Sequence, residues 1–134
     1  MLKYKLVKCN NSNSSYMGYY CARAAYDGII DLDGLVAHMA SHNSPFSAGT
    51  ISGVLKDMVS CIRELLLESK KVKLDDLAIF SLGLASKGAE KREEFTTAGN
   101  IAKAYINAIG TGEISKKQLD ITARFKEVEE YSKE

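Results

Sequence analysis

The sequence feature that most constrains the fold is an apolar stripe along a predicted helix between residues 47 and 69. Apolar residues recur there every three or four positions over about five turns, which is the spacing of one face of an α-helix. Ser47 precedes the stripe and is the predicted N-cap, because its hydroxyl can accept a hydrogen bond from a first-turn N–H. A stripe of this length needs a broad partner surface, so we expect a sheet or a second copy of the chain to bury it. The stripe consists of Ile51, Val54, Leu55, Met58, Val59, Ile62, Leu65 and Leu66.

The residues before the stripe predict a shorter helix and a β-hairpin. The helix begins at Asp31 and ends by Asn43, because Pro45 holds the residue before it in an extended conformation. Apolar and basic side chains alternate over residues 2–8, and small and aromatic side chains fill residues 19–26. The polar run NNSNSS separates these two segments. We therefore predict an N-terminal hairpin over residues 1–28 and a helical pair over residues 31–69.

The residues after the stripe predict strands around an exposed excursion. KKVKL predicts a short strand, Asp75-Asp76 a tight turn and LAIFSLGLAS a second strand. The polar segment 87–100 is followed by a returning strand at 101–109, so strands occupy residues 70–109. Residues 110–134 then contain a break, a short helix in ISKKQLD and a last strand at 123–131. We expect one domain over residues 1–134.

Composition excludes several protein classes. A chain of 134 residues that is 46% hydrophobic can bury a core without a metal or disulfides, which excludes a disordered tail protein. The sequence contains no apolar run of about 20 residues that could span a bilayer. Its three cysteines include no C-x-x-C pair, so we expect a reducing, cytoplasmic location. Cys9 and Cys21 flank the hairpin and can lie near each other.

Candidate catalytic and metal-ligating residues are few. His38 and His42 have the four-residue spacing of a shared metal site, but HMASH lacks the neighbouring Glu of a zinc protease and has no third ligand nearby. We interpret them as polar residues at a helix end. The sequence contains neither a nucleophile elbow nor a phosphate loop. We therefore predict no enzymatic activity, no cofactor, no metal, no small-molecule substrate and no membrane partner.

The distribution of charge is more informative than the net charge of +1. Residues 1–26 carry four basic and no acidic side chains, whereas residues 27–69 carry two basic and six acidic ones. Residues 70–92 carry six basic and three acidic side chains, and residues 93–134 carry six and eight. The helices are thus acidic and the strands basic. Such segregation can place a basic sheet face on a nearly neutral protein, as contact with phosphates requires.

From residue 31 to about 121, the order of elements is a short helix (LVAHMASH), a capped turn (SPFS), a long helix leading into a strand (CIRELLLESKKVKL), a turn, and LAIFSLGLASKG running into an arm. This order resembles the HU and integration host factor family of small DNA-bending proteins. The N-terminal hairpin is similar to an HU-like variant of Bacteroides-type bacteria. The residues that carry the resemblance are Ser47 in the cap, Val72 and Leu74 in the V-x-L strand, Phe80 in the aromatic position, and Tyr105 in the returning strand.

The resemblance implies an α+β, HU-like intertwined homodimer. Its helices would form a base, its sheet a saddle, and its β-ribbon arms, at about residues 86–100, would reach around double-stranded DNA. It implies an architectural protein of the bacterial nucleoid that contacts and bends DNA with little sequence preference. Lys3, Lys5 and Lys8 have no counterpart in the family core and extend the charged surface. The residues we expect to neutralise phosphates are Lys71, Lys73, Lys87, Lys91, Arg92 and Lys103.

Two departures from the family keep a second interpretation open. Family arms insert a Pro between base steps, whereas the only Pro here is Pro45, outside the arm. Phe95 is the remaining apolar candidate for a wedge, and its alternative role is to pack across the two arm strands. The arm also carries three glutamates. The alternative is therefore a dimeric interaction module that keeps the HU scaffold but binds DNA weakly or not at all.

Overall fold

The structure, a computed structural model, describes residues 1–128 and forms two compact units. Of the described residues, the first unit contains 1–31 and 120–128, and the second contains 32–119. The described residues form four α-helices and two three-stranded sheets. The predicted α+β class is therefore confirmed, whereas the single domain over residues 1–134 stays a prediction.

The first unit is built on a three-stranded sheet. Strand β1 (Leu2–Lys8) pairs antiparallel with β2 (Tyr20–Ala25) and parallel with β6 (Phe125–Glu127). Gly18, at a φ of 83°, donates its N–H to the carbonyl of Cys9 at 2.9 Å and closes the hairpin loop. The predicted hairpin is confirmed. The last predicted strand is present over Phe125–Glu127, and its final residues, 129–131, lie outside the described residues.

The second unit begins with the two predicted helices. Helix α1 spans Leu32–Ala40 and α2 spans Ala48–Leu67. Ser47 has an extended backbone, and its Oγ accepts a hydrogen bond from the N–H of Thr50 at 3.1 Å. The predicted N-cap is therefore confirmed, and it satisfies one of the backbone donors that a helix start leaves without a partner.

The chain leaves α2 through a hydrogen-bonded reversal at Ser69. The N–H of Ser69 donates to the carbonyl of Leu66, and the N–H of Lys70 donates to that of Leu65, both at 3.1 Å. This pattern needs a left-handed residue at the turn, and Ser69 has a φ of 65°. The backbone of Ser69 is therefore in a conformation that is unfavourable for a residue other than glycine, at the point where the chain turns toward the second sheet.

The second sheet is antiparallel in the order β3-β4-β5. Strand β3 covers Val72–Leu74, β4 covers Ala78–Ser86 and β5 covers Ile101–Gly110. Asp76, at a φ of 60°, forms the tight turn between β3 and β4. Because β3 is short, residues 81–86 pair only with β5 and extend beyond β3 as a two-stranded ribbon. The predicted strands are therefore confirmed.

The core of the second unit is small. Among the described residues, only Val36, Ile51, Leu66 and Ala78 are buried apolar side chains. One face of the second sheet, which we call the inner face, packs with α2 around an open apolar trough of about 500 Å³. Much of the α2 stripe is left uncovered. The trough is lined by Met58, Val59, Ile62, Arg63, Leu66 and Leu67 of α2 and by Leu74, Leu77, Phe80, Leu82 and Ile106.

The predicted β-ribbon arm at about residues 86–100 is wrong in its secondary structure. After Ser86 the chain forms a 3₁₀ turn at Arg92–Glu94 and a one-turn helix α3 (Thr97–Asn100), and only then enters β5. The run EKREE has weak preference for strands, and Thr96 caps the short helix by accepting from Gly99 N–H at 3.1 Å. Local capping therefore competes with extension of the ribbon.

A compact corner follows β5. Gly112 has a φ of 58° and lies against Asp76, whose Oδ1 accepts a hydrogen bond from the N–H of Glu113 at 3.2 Å. Helix α4 then spans Lys116–Thr122, two residues later than the predicted segment ISKKQLD, with Ser115 before it. The corner joins the end of β5 to the β3–β4 turn.

Candidate nucleic-acid interface

The outer face of the second sheet is the face opposite the inner face. Register places Lys73 beside Ile79 and Lys103 beside Ala85, so both lysines lie on this outer face. Tyr105 is paired with Gly83 between them, and a methyl group added at Gly83 would lie 2.8 Å from the Tyr105 ring. The glycine thus lets the aromatic ring lie close over the sheet.

The two predicted lysines at the β3 edge are solvent-accessible. Lys71 is exposed immediately before β3. Lys73 Nζ lies 3.8 Å from Asp75 Oδ1, and both side chains are more than half exposed. An exposed ion pair of this kind contributes little to stability, so Lys73 can exchange Asp75 for a phosphate at small cost.

The other four predicted cations lie at the far end of the sheet. Lys103 is on β5, and Lys87 directly follows β4. Lys91 and Arg92 are exposed within residues 87–100, which we call the tip loop. The β4 partners of Lys73 and Lys103 are Ile79 and Ala85, and their offset of six positions corresponds to roughly 20 Å. The structure therefore separates the predicted cations into two groups instead of one cluster.

Asn100 fixes the tip loop, and sequence reasoning missed it. Its carbonyl accepts from Lys87 N–H at 2.7 Å, and its side-chain amide donates to the Lys87 carbonyl at 3.0 Å. Its Oδ1 accepts from the N–H of Thr96 at 3.0 Å. The available signal was TTAGN, a Thr cap followed by Gly and Asn directly before a strand.

The tip loop is electrically neutral. Phe95 follows the 3₁₀ turn, is 42% exposed and donates its N–H to the Arg92 carbonyl at 3.2 Å. The alternative role of Phe95, packing across paired arm strands, has no strand pair within residues 87–100, where the chain forms a 3₁₀ turn and a one-turn helix. The charged side chains of the loop are Lys87, Lys91 and Arg92 against Glu90, Glu93 and Glu94.

His38 lies on α1 and contacts His42, which lies just beyond the end of that helix. Nε2 of His38 and Nε2 of His42 are 3.1 Å apart, and their rings meet edge to face. Within residues 1–128, no three potential ligands cluster for a metal ion. A hydrogen bond between a donating and an accepting imidazole accounts for this geometry.

Cys9 and Cys21 approach each other in the first unit, as the hairpin predicted. Hydrogen bonds from the Asn11 backbone and then from the Ser14 hydroxyl lower the pKa of Cys9 below its ordinary value. The Cys21 thiol and the positive charge of Arg23 act in the same direction. These groups stabilise the Cys9 thiolate, and both thiols are free in this structure.

The sequence of this chain matches the model of a known protein family. A family model described as "HU-HIG: HU domain fused to wHTH, Ig, or Glycine-rich motif" matches residues 1–123. The chain belongs to the HU-HIG family. The match spans both units and includes the N-terminal hairpin, which the HU core alone does not explain. The resemblance to HU seen in the sequence is therefore confirmed.

One solved structure resembles the HU-HIG chain along nearly its whole length. It is a crystal structure from Bacteroides vulgatus ATCC 8482 described as a "Putative bacterial DNA binding protein". The TM-score is 0.70 at 16% sequence identity, over 98% of this chain. The chain spans 50% of the length of that protein. This similarity therefore supports the fold.

No curated protein matches the HU-HIG chain. Within the described residues, no helix is both long enough and apolar enough to cross a membrane.

Proposed function

We propose that this HU-HIG chain is a homodimeric architectural protein that binds and bends double-stranded DNA with little sequence preference. The observation that carries the proposal is the family match over residues 1–123. The basic side chains on the outer face and at its two ends add a chemical reason, because phosphate contacts fix a protein on DNA without reading sequence. The protein acts in the nucleoid and has no enzymatic role.

The uncovered inner face supports the homodimer. Val59 and Ile106 both line the trough and are 52% and 61% exposed. Fully burying one such side chain contributes roughly 1.5 to 3 kcal/mol. A second copy of the chain supplies the broad apolar partner that the stripe requires, and pairing the same face of both copies closes the assembly by two-fold symmetry.

The proposed DNA contacts are formed by the six predicted cations. They act as solvated donors to phosphate oxygens, with the β3 edge and the tip end each contributing one group. Tyr105 and the flat backbone at Gly83 separate the two groups on the outer face. A duplex lying along this face can reach both groups only if it follows the sheet for roughly 20 Å.

Bending is proposed to use Phe95 as the apolar wedge. Phe95 is partly exposed at the tip loop and has no competing strand partner. Inserting an aromatic ring between base steps costs a few kcal/mol of unstacking, which contacts of the bent duplex offset.

The second candidate function is a dimeric protein-interaction module on the HU scaffold. The neutral tip loop favours it, because three glutamates cancel the attraction of three cations in that loop. This candidate uses the same dimer but predicts no dependence of binding on phosphate charge.

Titration of random-sequence duplex DNA across a salt series tests the two candidates. For DNA binding, the logarithm of the association constant falls linearly with the logarithm of salt concentration, by about 0.9 for each phosphate neutralised. Lys103→Ser lowers this slope, whereas the matched change Lys56→Ser on α2 leaves it unchanged. Absence of binding at low salt, or a slope near zero, favours the interaction module.

A further inference from the structure

The sheet of the first unit carries a basic face of its own. Register places Lys5 directly opposite Arg23 on neighbouring strands, and Lys3 beside Lys126. Alternation along β1 places Lys3 and Lys5 on the same side of the sheet. Lys8, opposite Tyr20, lies on the other side. The N-terminal lysines therefore do not form one surface, and three β-strands contribute to the basic face.

Counter-ions on this face are few. Lys3 Nζ donates to both carboxylate oxygens of Asp27 at 2.9 Å. Within residues 1–128, Lys5, Arg23 and Lys126 form no ion pair with an acidic side chain. Glu127 is paired with Tyr4 and therefore lies on the opposite side of the sheet. At least three positive charges of this face are left without a partner in the described residues.

Placing like charges directly opposite each other weakens a sheet. Two like charges directly opposite each other on neighbouring antiparallel strands repel and are destabilising. Lys5 is half-buried and directly faces Arg23 in the register, and a lysine in such a setting keeps its apolar stem on the sheet and its ammonium group in solvent. An anion that bridges the two side chains removes the repulsion. A chain of phosphates fits this geometry because the cations recur along and across the strands.

We propose that this face, formed by Lys3, Lys5, Arg23 and Lys126, is a second surface for the phosphate backbone of DNA. The inference rests on the proposed DNA-binding function and extends it to the first unit. It assigns a function to the N-terminal hairpin, which the HU core lacks. The hairpin then adds affinity that the neutral tip loop does not supply.

The test uses the full chain and two lysines of the same strand. Lys5→Ser and Lys8→Ser remove the same charge from β1 on opposite sides of the sheet. DNA binding is measured by fluorescence anisotropy with a random duplex over a salt series. We expect Lys5→Ser to lower the salt slope by about one unit for each phosphate that is no longer neutralised, and Lys8→Ser to leave it unchanged.

A charge reversal separates binding from folding. Arg23→Glu replaces a like-charged pair by an opposite-charged pair, so the melting temperature rises while DNA affinity falls. If Arg23→Glu instead disrupts the fold, the melting temperature and the DNA affinity both fall, and circular dichroism detects the loss of structure. A rise in melting temperature with unchanged DNA affinity overturns the proposal.

The outcomes distinguish this inference from the proposed function. If the parent binds DNA and Lys103→Ser lowers the slope while Lys5→Ser does not, the second surface is wrong and the proposed function stands. If only Lys5→Ser lowers the slope, the second surface stands and the outer-face contacts are wrong. Equal losses for Lys5→Ser and Lys8→Ser also overturn the second surface. If the parent does not bind DNA, both proposals fall.

Discussion

Replacing Ile106 by Asp tests whether a second copy covers the inner face. Ile106 lies opposite Leu82 on β5, lines the apolar trough, and is 61% exposed in one chain. Completing the burial of an isoleucine side chain from this state contributes roughly 1 to 2 kcal/mol, taking 61% of the full value. In a symmetric dimer the substitution removes this burial contribution from both copies, which amounts to about 2 to 4 kcal/mol. Burying the Asp carboxylate adds a further cost.

This loss corresponds to a dimer dissociation constant raised about 30- to 1,000-fold. Sedimentation equilibrium of the full chain over a range of protein concentrations measures the constant. Ile109→Asp is the matched control, because Ile109 lies on the same strand, is 67% exposed, and is paired with Ile79 on the outer face. We expect this control to leave the dissociation constant near that of the parent.

Three results contradict the argument. The parent can sediment as a single chain at all concentrations, Ile106→Asp can leave the dimer intact, or both variants can weaken it equally. The first two exclude burial of Ile106 between copies. The third indicates a general effect of an Asp on β5, which circular dichroism of both variants can verify.

The remaining predictions concern single positions. Ser69→Gly removes the left-handed strain at the end of α2 and raises the free energy of unfolding by about 0.5 to 1 kcal/mol, measured by urea denaturation. Gly112→Ala forces a side chain into a left-handed conformation against Asp76 and lowers that free energy by about 2 kcal/mol in the same assay. Because the pKa of Cys9 is lowered, its alkylation by iodoacetamide, followed by peptide mass spectrometry, reaches half its high-pH rate at a lower pH than that of a short cysteine peptide. Phe95→Ala reduces the bend angle of bound DNA in a fluorescence energy-transfer assay and changes the salt slope little, whereas an unchanged bend excludes the wedge.

Local patterns predicted the elements that local interactions determine. The α2 stripe, the Ser47 cap and the alternation over residues 2–8 each depend on neighbouring residues, and the structure has all three. The class and order of elements were accordingly recoverable from the sequence. The extent of burial was not, because only two residues of the stripe, Ile51 and Leu66, are buried within one chain.

Long-range pairing and loop closure could not be predicted. Leu2 pairs with Phe125 across almost the whole chain, so no local pattern places Lys126 beside Lys3. The tip loop was expected to be extended, because the resemblance to HU implied paired arm strands. Its structure depends on Asn100, whose side chain contacts Lys87 thirteen positions away. Because the loop sequence differs from that of the family, the family pattern could not predict the contact between Asn100 and Lys87.

The neutrality of the tip loop limits where the proposed DNA affinity can arise in this chain. Glu90, Glu93 and Glu94 lie within three residues of Lys91 and Arg92 in the sequence, and charges this close along the chain oppose one another at moderate salt. A phosphate near the loop therefore meets almost no net attraction, however exposed the cations are. By contrast, residues 95–112 around Lys103 contain no acidic side chain, and Lys5, Arg23 and Lys126 of the first unit form no ion pair with a described acidic residue. We therefore expect affinity to depend on the sheets and the tip loop to influence mainly the shape of the bound DNA, so that Lys103→Ser weakens binding more than Arg92→Ser. The reverse order, measured by anisotropy at one salt concentration, contradicts this division.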